Sequence, residues 1–149
     1  MTRAALPALR ASGEGLVVNV SSGIALIGMP FYTTYAATKA GIAHFGEALR
    51  RELFGEGVNV VNVFPGATST PMMETSKAGT EHGFDYESPE NVAAATLAGI
   101  TEGSLTVVRG GEARTQMIAL NRTDPAAVDE LLNGRKTELE LAVAGQFSL

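Results

Sequence analysis

Three stretches of the chain carry β-branched and aliphatic residues bounded by glycine, serine or proline, the pattern of short buried strands. Residues 16–20 (LVVNV) follow Gly13 and Gly15 and end at Ser21 and Ser22. Residues 58–64 (VNVVNVF) repeat the pattern before Pro65 and Gly66, and the weaker run 105–108 (LTVV) ends at Gly110 and Gly111. Between the first two runs the hydrophobic spacing changes to three and four. There Ile42, Phe45, Leu49 and Leu53 make one apolar stripe on a helix expected from Tyr35 to about Phe54, with Glu47 and Arg51 paired on its wet side. A second helix is expected from Ser88, with Pro89 in its first turn and Glu90 beside the positive end of its dipole. Another starts at Asp124 and Pro125, and Val128, Leu132, Leu139 and Ala142 continue one face past Asn133 and Gly134, a pair able to divide it in two. Residues 1–10 read as the tail of an amphipathic helix. Alternating strands and helices build a parallel sheet covered by helices, so the expected fold class is α/β with about three strands and four helices.

Composition narrows the functional classes. At 149 residues and 45% hydrophobic content, the chain suits a single domain spanning 1–149. A net charge of −5 would repel a phosphate backbone, which argues against nucleic acid as a partner. There is no cysteine, and His44 and His82 are too few and too far apart for a metal cluster. No apolar run approaches the ~18 residues of a membrane span, and no signal peptide is recognisable at the N-terminus, so a cytoplasmic location is expected.

Ligands of parallel sheets bind outside the carboxyl ends of the strands. The loops in that position begin at Ser21 and at Pro65. Downstream of the first, Tyr35 and Lys39 stand four residues apart and share a helix face, bringing a phenol and an ammonium together. A free phenol, with pKa of about 10, is a slow proton donor or acceptor near neutrality, and an adjacent cation favours its ionised form. Ser22, at the strand end, is placed to orient the same substrate oxygen. The connection 66–87 is long and lacks periodicity, as lids and binding loops often do. Its Met72, Met73 and Phe84, with Met29, Phe31 and Tyr32, would favour an apolar or mixed substrate.

Ser22, the Tyr35-x-x-x-Lys39 pair thirteen residues beyond it and the later PGATSTPM run at 65–72 together resemble the short-chain dehydrogenase/reductase pattern, in order and in register. The resemblance implies a Rossmann-type, doubly wound sheet. It also implies hydride transfer between NAD or NADP and a small-molecule alcohol or carbonyl substrate. It casts Tyr35 as general acid/base and Ser22 as the residue binding the reacting oxygen. Lys39 becomes the group that favours phenolate and holds the nicotinamide ribose. Pro65 and Gly66 would lie against the nicotinamide, with Thr70 and the Thr68 backbone near its carboxamide.

The resemblance runs to about Arg109, and residues 110–149 look like a less family-like helical extension. The family's glycine-rich turn between its first strand and helix has no counterpart here, which predicts that roughly 90 to 100 residues of such a protein would precede Met1. The 149-residue chain alone would then be inactive and would bind no cofactor. A homo-oligomer is expected of the intact enzyme, with Ala36, Ala40 and Gly41 as a small-residue face. The competing reading is a non-catalytic interaction or oligomerisation module, and titration with NAD(H) or NADP(H) separates the two. A hydrolase built on Ser22 is disfavoured, because there is no Gly-x-Ser-x-Gly turn and no histidine partner.

Overall fold

The computed structural model describes residues 1–74 and 86–144. Its centre is a parallel sheet of β1 (Gly15–Val20), β2 (Val58–Phe64) and β3 (Thr106–Val108), in the spatial order β1-β2-β3. Gly15 pairs with Val58 and Val20 with Val63; Asn62 pairs with Thr106 and Phe64 with Val108. The middle strand is buried at every position but Asn59, as its near-continuous run of valines requires.

Six α-helices flank the sheet among the described residues, against about four expected. They are α1 (Thr2–Ser12), α2 (Thr33–Glu52), α3 (Pro89–Thr101), α4 (Gly111–Thr123), α5 (Pro125–Asn133) and α6 (Lys136–Val143). The unforeseen one is α4. Its start is disguised because Gly110 and Gly111, at φ 120° and 73°, turn the chain out of β3 without any side-chain cap. The division between α5 and α6 falls at Gly134, as the Asn133 and Gly134 pair allowed. Ser88 and Asp124 cap α3 and α5, accepting from the backbone N–H groups of Asn91 at 3.2 Å and Ala127 at 3.1 Å.

One face of the sheet, carrying Val17, Val58 and Val60, packs against Leu49 and Leu53 and against Leu6 and Leu9 of α1. Leu53 is 1% exposed, and burying a leucine so fully stabilises the fold by about 2 kcal/mol. On the opposite face Val61, Val63 and Val107 pack against Ala95 and Ile100 of α3. A third cluster joins Ile118, Val128, Leu132 and Leu139 of the last three helices to Ile27 in the loop after β1. The C-terminal helices are thereby fastened to the loop that follows Ser22.

The apolar stripe of α2 differs from the one its sequence suggests. Phe45 is exposed, while Ala43, Gly46 and Leu49 are buried. The helix lies so close to the strands that only small side chains fit: a Cβ on Gly46 would collide with Asn62 Oδ1 and Asn19 Nδ2. β1 is an edge strand, and Leu16, Val18 and Val20, all on the α3 side of the sheet, remain exposed at 38%, 37% and 58%. No helix among the described residues is long and apolar enough to cross a membrane.

Candidate functional site

The carboxyl ends of β1 and β2 open into a cavity of about 410 Å³. Its position follows from the register: Ser21 N–H continues the ladder to Val63 O at 2.8 Å, and Gly23 N–H donates to Pro65 O at 2.8 Å. The two loops therefore leave the sheet side by side. Of the candidates named from sequence, Ser22, Met29, Tyr32, Tyr35, Lys39, Pro65, Gly66, Thr68, Thr70, Met72 and Met73 line this cavity.

Phe31 does not. It takes a left-handed backbone conformation, φ 69°, rarely adopted by bulky residues, and its side chain packs on the Ile27 and Ile118 cluster. The partly buried Phe31 thus stands outside the cavity lining, while Tyr32 faces the cavity. Phe84, the remaining candidate, lies with residues 75–85 outside the described residues, as does His82.

Ser22 is extended and caps the short 3-10 turn Gly23–Ala25, accepting from Ile24 N–H at 3.4 Å. Its own O–H is left free to donate toward the cavity. Tyr35 and Lys39 lie in the first turns of α2, with Lys39 Nζ 5.5 Å from the Tyr35 ring centroid, a cation over an aromatic face. Tyr32 meets Tyr35 edge-on, with centroids 6.3 Å apart. Burial, assisted by the charges of Tyr86 and Tyr35, raises the Tyr32 phenol above its ordinary range.

What holds α2 over the site is a set of bonds from strand side chains to helix carbonyls. Ser21 Oγ donates to Lys39 O at 2.7 Å, and Asn62 Nδ2 donates to Ala43 O at 3.0 Å. Asn19 Nδ2 in turn donates to Asn62 Oδ1 at 3.3 Å. The acceptors Lys39 and Ala43 are one helical turn apart, so the strands grip α2 along one line directly behind the catalytic candidates. Ser21 is thus a buried tether rather than a cavity donor.

The opposite wall is backbone-rich. Gly66 passes so close to Gly110 that a Cβ on Gly66 would stand 3.0 Å from Gly110 Cα. Thr68 Oγ1 donates to Gly66 O at 3.2 Å, and Thr70 introduces the 3-10 turn Pro71–Met73. Thr68 pairs with Glu87 in a parallel bridge, and Glu87 forms a two-pronged ion pair with Arg109 at the end of β3, one contact being 3.0 Å from Nε to Oε1. That pair fastens this rim to the sheet and holds the Arg109 guanidinium even more firmly charged than usual.

Sequence reasoning passed over Arg114. This half-buried residue of α4 also lines the cavity, together with Val20, Ile24, Ala67, Pro89 and Val92. Burial lowers its pKa from the usual arginine value. No sequence motif marks Arg114, because its reach into the cavity depends on α4 folding back across the loop after β1.

The family model described as short chain dehydrogenase matches residues 1–81. The ketoacyl reductase HetN of Nostoc sp. is 31% identical over 137 residues, covering 88% of this chain and 48% of that protein. A very-long-chain 3-oxoacyl-CoA reductase of Anas platyrhynchos is 32% identical over 97 residues, covering 65% of this chain and 30% of that one. Among solved structures, a short chain dehydrogenase from Burkholderia cenocepacia in complex with NADP superposes with a TM-score of 0.75 at 27% identity, over 89% of this chain and 52% of its own. The chain spans about half the length, or less, of these relatives.

Proposed function

The chain belongs to the short-chain dehydrogenase family, and from that premise we propose that it forms the proton-transfer side of an NAD(P)-dependent oxidoreductase acting on an alcohol or carbonyl compound. The observation that carries this reading is the convergence of Ser22, Tyr35 and Lys39 on one cavity at the strand ends.

In the oxidative direction the alcohol O–H and C–H bonds break as the carbonyl forms. Tyr35 Oη takes the hydroxyl proton, and Ser22 Oγ donates a hydrogen bond to the same oxygen and holds it in line. Reduction runs the same proton back from Tyr35 to the carbonyl oxygen. Lys39 holds its ammonium beside the Tyr35 ring, 5.5 Å from its centroid, and is the residue assigned to the nicotinamide ribose. A bound nicotinamide supplies the hydride acceptor or donor. The residues present suit that group at its ring end: Gly66, seated against the Gly110 backbone, adds no side chain of its own to the wall, and Pro65, Thr68 and Thr70 border it. Holding the ring there and keeping water from the reacting carbon fall to this wall together with Met29 and Met73. Carbonyl reduction also figures in the names of two relatives, a ketoacyl reductase and a 3-oxoacyl-CoA reductase.

The test is an NADH- and NADPH-linked assay of the natural gene product over a panel of ketones and secondary alcohols. Tyr35→Phe is expected to abolish nearly all turnover while leaving nucleotide affinity within about twofold, since it deletes only the proton-transfer group. Retained turnover in that variant would exclude the mechanism. A second reading, association without catalysis, draws on the exposed Leu16, Val18 and Val20 row at the sheet edge. Sedimentation showing self-association, with no nucleotide binding, would favour it.

A further inference from the structure

Arg114 is the strongest feature of the cavity that this mechanism leaves unused. It sits in a slot made by two glycines from different loops: a Cβ on Gly23 would lie 2.7 Å from Arg114 Nη1, and one on Gly110 would lie 2.5 Å from its Cδ and 2.7 Å from its Nε. Each glycine follows the end of a strand, and neither position tolerates a side chain while Arg114 is there. The slot aims the guanidinium at the loop carrying Ser22, whose next residue is Gly23, so Nη1 is at most about 8 Å from the Ser22 Cα. Among the described residues no carboxylate pairs with it, in contrast to Arg10, Arg51, Arg109 and Arg135, each of which has a glutamate partner. An unpaired guanidinium in a largely apolar cavity is a ready two-pronged receptor for an oxyanion.

We propose that Arg114 determines specificity by binding a carboxylate of the substrate, making the preferred substrates short hydroxy or keto acids whose carboxylate lies a few bonds from the reacting carbon. This rests on the oxidoreductase reading of the same cavity. The carboxylate is a spectator: the bonds broken and formed, and the destinations of proton and hydride, are those of the alcohol–carbonyl interconversion above. The short reach from Ser22 selects for compact acids, because an anion at the far end of a long chain would overshoot the guanidinium.

The probes are lactate, 3-hydroxybutyrate and 4-hydroxyvalerate, each compared with its methyl ester by titration calorimetry on the 149-residue chain and, where turnover is measurable, by kcat/KM. At least one acid is expected to bind about tenfold or more tightly than its ester. Arg114→Gln is expected to erase that ratio without weakening the ester, and Arg114→Lys to keep part of it. Equal binding of every acid and ester by the unaltered protein would overturn the proposal, whatever the variants do. So would an acid preference that survives Arg114→Gln, or a loss of NADPH affinity in that variant with the acid preference intact, since the guanidinium would then serve a nucleotide phosphate. Tyr35→Phe separates the two readings: it should abolish turnover and spare the acid preference. An acid preference together with no oxidation of any alcohol by the natural gene product, assayed with both NAD and NADP, would sink the oxidoreductase reading and leave Arg114 as an acid receptor. Turnover without the preference would do the reverse.

Discussion

Replacing Gly46 by alanine probes the contact that sets α2 on the sheet. The new methyl would overlap Asn62 Oδ1 and Asn19 Nδ2 and lie 2.9 Å from Asn62 Cγ. Both asparagines are committed: Asn62 is buried, donates to Ala43 O at 3.0 Å and accepts from Asn19 at 3.3 Å. Relief therefore requires α2 to lift from the strands or the amide pair to break. Overpacking of this kind costs about 1–3 kcal/mol, and a buried amide left without its partner costs about 1–3 kcal/mol more. Alanine's better helix propensity returns only about 1 kcal/mol. A net loss of ~3 kcal/mol is expected, about 10 °C in Tm for a chain of this size. Gly41 provides the internal control, because it lies in the same helix with nothing within 4 Å of a built Cβ. Gly41→Ala should stabilise by about 0.5–1 kcal/mol. Urea unfolding followed by circular dichroism measures both. If Gly46→Ala proves as stable as Gly41→Ala, the close seating of α2 is wrong, and with it the account of how Tyr35 and Lys39 are aimed.

Two further outcomes are expected. Because the folded protein holds the Tyr32 proton at a pH where the unfolded chain releases it, stability should be intact below about pH 10 and fall as pH rises above it. Tyr32→Phe should flatten that slope in urea titrations at a series of alkaline pH values, and unchanged slopes would mean the phenol is solvated. Glu87→Gln removes the charge opposite Arg109 and should cost ~1 kcal/mol at low salt, less as salt is added, given that both side chains are partly exposed. A salt-independent loss would point to packing rather than charge.

That Ser22, Tyr35 and Lys39 meet at one cavity was legible because their placement is local. The Tyr35 and Lys39 spacing needs only a helix, Ser22 needs only a strand end, and the valine run at 58–64 announces a buried strand; the run at 16–20 also forms a strand, but its Leu16, Val18 and Val20 stay exposed at the sheet edge instead of buried as expected. Cap residues worked for the same reason: Ser88 and Asp124 each bond an amide three residues on. What the sequence could not disclose depends on distances between segments far apart in the chain. Gly46 has no local reason to outrank Phe45 as the buried position, and it does so only because Asn19 and Asn62 come up beneath it. Phe31 reads as a binding-loop aromatic, yet at its left-handed turn it is partly buried against the Ile27 and Ile118 cluster and outside the cavity lining. Helix α4 began behind two glycines with no side-chain cap, so neither the helix nor Arg114 had a pattern to reveal it. Its guanidinium reaches the cavity because glycines at 23 and 110, eighty-seven residues apart in sequence, vacate the same slot. Periodicity and spacing thus determined most of the elements and singled out the proposed proton-transfer set, whereas the close approach of helix to strand and of loop to loop, decided by packing, determined which side chains line the cavity.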